Sequence, residues 1–120
     1  MKRYITPFIF FIIFCGVDTA YAQSTARTAE FSNEQVNVWK TMIYPKSKQV
    51  LSMHRHDYDR VLVALSHGTL KITNNKGDVH YLTLQKNKAY YLHKDPMDEL
   101  HQDENITKHP ITVMVIELKQ

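Results

Sequence analysis

The chain has 120 residues, with 15 Lys and Arg against 12 Asp and Glu, a net charge of +3 with histidine neutral. That excess is too small to argue for nucleic acid or an anionic membrane surface as partner, and no lysine-rich run or stacking-aromatic pattern marks a nucleic-acid face. One cysteine, Cys15, excludes an intramolecular disulfide framework.

The N-terminus reads in three parts. Lys2 and Arg3 are a positive start, Pro7–Val17 is an apolar run of 11 residues, and Ala20-Tyr21-Ala22 is a small-x-small cleavage site. This order predicts a signal peptide over residues 1–22, cleaved after Ala22. A spanning helix needs roughly 20 apolar residues, so the expectation is a periplasmic or secreted protein with no stable membrane anchor after cleavage. Phe14 stands before Cys15 where a lipoprotein signal has a small residue. Removing 22 of the 120 residues leaves 98, and removing Lys2, Arg3 and Asp18 leaves a net charge of +2. Such a chain builds one core, without room for two domains. With Cys15 gone, it relies on apolar packing, a bound metal or a partner.

Gln23–Ser32 is polar and small and reads as a flexible leader over 23–32; the domain is expected over 33–120. Candidate strands follow at Gln35–Tyr44, Gln49–Met53, Arg60–Ser66, Thr69–Thr73, Asp78–Leu84, Ala89–Leu92, Glu99–Gln102 and Ile111–Leu118. They are rich in Val, Ile, Thr and Tyr, which suit a pleated, half-buried surface. Val36 and Val38 alternate with Asn37 and Lys40, and Val79 and Tyr81 with Asp78 and His80. Asn74-Asn75-Lys76-Gly77 is the clearest turn, with Gly77 or an Asn at positive φ. No stretch sustains a 3.6-residue period, and neither an internal repeat nor a low-complexity segment occurs. The fold class expected is all-β, a barrel or sandwich.

His54 and His56 lie two apart on an apparent strand edge, so their side chains share a face. His101 follows 45 residues later, on a strand that a closed barrel could bring alongside. Imidazole nitrogen suits first-row divalent metals, and a three-His set leaves positions open for water or substrate. Taken by itself, an H-x-H on a strand is more often a surface pair than a site.

The surrounding residues extend the pattern. Met53–Val61 with Gly68 resembles the first cupin motif, an H-x-H followed by an acidic position and a glycine. Pro96–Asn105 resembles the second, P-x-G-x-x-H-x-x-x-N, with Pro96, His101 and Asn105 in register. The resemblance covers residues 35–118. It implies a small cupin-type antiparallel β-barrel or jelly roll, and a divalent metal (Fe, Mn, Ni, Cu or Zn) on His54, His56 and His101. Departures exist: Arg60 and Val61 occupy the positions of the family's Glu ligand, Lys48 replaces a glycine, and Asp98 replaces the second motif's glycine. The segment Lys88–Pro96 is also longer than the pattern.

Three arrangements of the site stay open. The three histidines bind the metal alone; or Asp57, Asp59 or Asp98 supplies the missing carboxylate, with Asp59 disfavoured by strand parity; or the pocket is metal-free and takes a small anion through Arg60. A guanidinium suits a carboxylate or phosphate, although Arg60 could equally point outward and pair with Asp57, Asp59 or a glutamate. Arg60 and Tyr58 are the candidate ligand contacts. Tyr81, Tyr90 and Tyr91 read as core, cross-strand or pocket-mouth residues, and Trp39 as core or rim. His67, His80, His93 and His109 read as exposed, with His93 the one to watch because of Pro96. Asn105-Ile106-Thr107 matches a glycosylation acceptor, unused in a bacterial protein.

The partner expected is a small molecule, with a homodimer through an edge strand as the assembly that the resemblance allows. An enzyme would be a metal-dependent oxygenase or isomerase; a binding module or a structural protein stays open beside it. No G-x-S-x-G and no phosphate loop offers other chemistry.

Overall fold

A computed structural model describes residues 26–45 and 52–119. The expected signal peptide lies outside the described residues, as do residues 49–51 of the candidate strand Gln49–Met53. Ser52 and Met53 are not in a strand.

Eight strands run in chain order: β1 (Ala26–Ser32), β2 (Val36–Ile43), β3 (Arg60–Ala64), β4 (Gly68–Asn74), β5 (Val79–Leu84), β6 (Ala89–Leu92), β7 (His101–Asn105) and β8 (Ile111–Leu118). One sheet has the order β1-β2-β8-β3-β6 and the other β5-β4-β7. The strand pairs are antiparallel. The described residues contain no helix.

Side chains alternate across each strand, and the set turned inward is clear from burial. Arg60, Leu62 and Ala64 of β3 are buried, as are Ile111, Val113 and Val115 of β8. On β2 the cavity-lining set is Trp39, Thr41 and Ile43; Val38 is buried on the other face. On β5, Leu84 is in the core and Val79 and Tyr81 are exposed. The alternation seen in the sequence is therefore real in both strands, but the covered face of β5 is the one carrying His80, Leu82 and Leu84.

Two turns and one close approach set the register. Asn74 and Gly77 close the β4–β5 hairpin: Asn74 Oδ1 accepts from the Lys76 and Asp78 amides, each at 2.9 Å, and Gly77 sits at φ 91°. That φ lies in the left-handed region open to glycine. Gly68 faces Ile111, and a Cβ there would overlap the Ile111 side chain. Asn105 is 0% exposed and donates to Ile43 O at 3.0 Å and His109 O at 2.6 Å, while accepting from the Thr107 amide at 2.8 Å. It ties the end of β7 to β2 and to the approach to β8. Its burial also removes the Asn105-Ile106-Thr107 sequence from reach of glycosylation in the folded chain.

Two expectations change. Ala26–Ser32, read as part of a flexible leader, forms β1 along β2; all seven residues are exposed, so no apolar pattern announced it. The strand expected at Glu99–Gln102 runs from His101 to Asn105.

Candidate metal centre

Backbone hydrogen bonds position the three histidines. His54 and His101 bridge antiparallel, each amide donating to the other's carbonyl at 2.8 Å. The segment carrying His54 and His56 is thereby held beside β7, although it is not itself a strand. His56 is fixed from the other side. Its amide donates to Asp95 Oδ2 at 2.7 Å, and its carbonyl accepts from the Asp95 amide at 2.9 Å. The ring centroids of His54, His56 and His101 are 4.6–5.3 Å apart. One nitrogen from each falls within 4.8 Å of the others.

Protonation suits ligation. Burial, with the Arg60 guanidinium nearby, lowers His56 from 6.5 to about 3, so this ring is neutral at ordinary pH. Burial also lowers His101, against the pull of Asp103 and Asp95. Asp95 Oδ2 lies 3.2 Å from His101 Nδ1, which favours the proton on Nδ1 and leaves the Nε2 lone pair for a metal. His54 Nδ1 is 3.3 Å from Ser52 O, which directs its Nε2 inward in the same way. Three converging imidazoles, two of them with Nδ1 beside an oxygen acceptor, are a fitting donor set for a divalent transition metal.

The carboxylate beside the histidines is none of the three considered from sequence. Asp57 pairs with Arg55 at 2.9 Å, Asp98 with Lys76 at 3.2 Å, and Asp59 accepts from the Tyr91 hydroxyl at 2.6 Å and the Lys94 amide at 2.8 Å. Asp103 stands there instead, 3.7 Å from both His54 Nε2 and His101 Nε2. Its signal was in the sequence: it is two residues past His101 on β7, hence on the same face.

The histidines open into a cavity of about 650 Å³, a size suited to a small molecule. Trp39, Leu62, Val113 and Val115 form its apolar wall, and Tyr91, His80 and His93 border it. Arg60 is only 8% exposed and lines this cavity; it does not pair outward with Asp57 or Asp59. Among the described residues its one hydrogen bond runs from Nη1 to His93 O at 3.3 Å. Tyr58, in contrast, is 41% exposed and lies outside the cavity lining, because it falls on the outer side of the segment following His56. Arg27 of β1, unforeseen from sequence, also lines the cavity, its guanidinium 4.1 Å from the Trp39 ring centre.

No protein-family model matches the chain, and no curated protein matches it. Solved structures do. A cupin domain from Bordetella pertussis Tohama I is similar with a TM-score of 0.69 at 22% identity, over 82% of this chain and 97% of that one. A double-stranded β-helix protein from Klebsiella pneumoniae gives 0.59 at 14% identity, over 99% and 91%. An RmlC-like cupin from Methanocaldococcus jannaschii gives 0.58 at 14%, over 81% and 82%. At these identities the likeness is one of fold.

Proposed function

We propose that this chain, whose fold is that of a small cupin, is an exported protein that binds a small molecule in its barrel next to a divalent transition metal held by His54, His56 and His101. The observation that carries this reading is the convergence of three imidazoles from two separate segments, with Asp95 gripping both the His56 backbone and the His101 ring. A carboxylate behind a histidine is the usual means of fixing a metal-binding tautomer. Asp103 is the side chain nearest to completing the donor set.

When bound, the metal would act as a Lewis acid or supply a redox centre. The chain's own residues bind and orient. The apolar wall excludes water from one side of the ligand, and Asp95 keeps the proton on His101 Nδ1. Whether the metal turns over substrate separates an oxygenase or isomerase from a binding module. Export rests on the order of charge, apolar run and small-x-small site in residues 1–22, so the mature chain should start at Gln23.

The test is a Co(II) titration of chelator-stripped mature protein, followed by visible absorption. One equivalent of Co(II) should saturate a d–d band in the wild type and none should develop in His54→Ala of matched secondary structure. A wild type that develops no band refutes the metal centre. A second reading, a metal-free anion site, draws on the burial of Arg60.

A further inference from the structure

Arg60 is a buried cation short of partners. Among the described residues it makes one hydrogen bond, the 3.3 Å contact to His93 O, and no carboxylate lies within ion-pairing distance. Four carboxylates near it favour its charge, Asp95, Asp103, Glu117 and Asp59; of these Asp59 is held by Tyr91 and Lys94, and Asp95 by His101 and the His56 amide. Burial disfavours its charge, yet a guanidinium stays protonated in proteins. A charge left in this state is costly unless something supplies acceptors, and the unused N–H groups border the cavity.

Resting on the reading of the cavity as a small-molecule site, we propose that Arg60 is the carboxylate-binding residue of that cavity and that its ligand is a small monocarboxylic acid with an apolar body. The fork of the guanidinium matches a carboxylate. The wall of Trp39, Leu62, Val113 and Val115 beside it, on the same sheet, suits an aliphatic or aromatic remainder. Charge selects a monoanion. The cavity is lined by three acids, Asp95, Glu99 and Asp103, and by two guanidiniums, Arg27 and Arg60. With imidazoles counted neutral that is a net −1, which a divalent metal turns to +1 and one carboxylate then cancels. Metal and carboxylate therefore reinforce each other's binding, and the reinforcement is equal in both directions.

The test compares acids with their amides by calorimetric titration. Benzoate and propionate, with benzamide and propionamide, are titrated into Zn(II)-loaded mature wild type, Arg60→Gln and Arg60→Lys. Zinc content is measured separately on each sample. The acid should bind at least about tenfold tighter than its amide in the wild type, a margin typical of one charge-assisted pair. Arg60→Gln should erase that preference by weakening acid binding far more than amide binding, and Arg60→Lys should keep part of it. Chelator-stripped wild type should bind the acid more weakly. Equal binding of acid and amide in the wild type, a preference that survives in Arg60→Gln, or no binding of either acid at millimolar concentration would each overturn the assignment. If Arg60→Gln does not fold, the wild-type comparison and the Arg60→Lys result still decide. Zinc uptake without acid preference defeats only this inference; acid preference lost in Arg60→Gln without zinc uptake defeats only the metal centre.

Discussion

The two ends of the barrel are built from the same eight strands and differ in almost every other respect. At one end the inward positions are Ala64, Leu70, Leu84 and Ile111, between 0% and 3% exposed, with Gly68 pressed against Ile111 and Asn105 satisfying carbonyls on two neighbouring segments. At the other end the same faces carry Arg60, Asn74, His80, Leu92, His101 and Asp103 around a cavity. A strand that is apolar at one end and polar at the other lets one small core stabilise a site that contributes little to stability itself. The lesson is a division of labour along the strand axis: changes at the closed end should be read in unfolding experiments, and changes at the open end in binding.

The largest effect expected is at the closed end. Leu84→Ala removes a fully enclosed side chain and should cost about 3 kcal/mol in urea unfolding, with metal stoichiometry of the folded protein unchanged. Gly68→Ala forces a Cβ into Ile111 and should cost about 1–3 kcal/mol by the same measurement. Loss of metal in either folded variant would break the division.

At the open end the balance reverses. Asp95→Asn should lower metal affinity by about 10–100-fold in competition with a chromophoric chelator, while the urea midpoint moves far less than for Leu84→Ala. An affinity unchanged by this substitution would show that His101 needs no carboxylate behind it.

A separate effect is one of pH on the metal-free protein. The folded His56 is held near 3 against 6.5 when free, so the unfolded chain takes up the proton first. Stability from this group is fully present above about pH 6.5 and is lost as the pH falls from there towards about 3. Melting temperature should therefore drop on acidification over that window, and His56→Gln should drop less.

What the sequence disclosed follows the physics of burial. Strands β2 to β6 and β8 carry Val, Ile, Leu and Tyr against a core, and their residues announced them. Ala26–Ser32 lies exposed along β2, so nothing in its composition separated it from a leader, and Arg27 was missed with it. His101–Asn105 is polar throughout, with His101 and Asp103 facing the site and Asn105 the closed end, so no apolar residue marked its start. The three histidines were legible from spacing and motif. Asp103 was equally within reach of the two-residue period that joined His54 to His56, whereas the cupin pattern has its carboxylate near the first motif. Asp95 could not be read, since its role depends on a loop folding back onto His56.

The most direct test is elemental analysis of the mature protein, purified without a histidine tag from its own export route, beside a His101→Ala variant. The account predicts about one equivalent of a first-row transition metal in the wild type and none in the variant. No metal in the wild type, even after incubation with Fe, Mn, Ni, Cu or Zn salts, would contradict it.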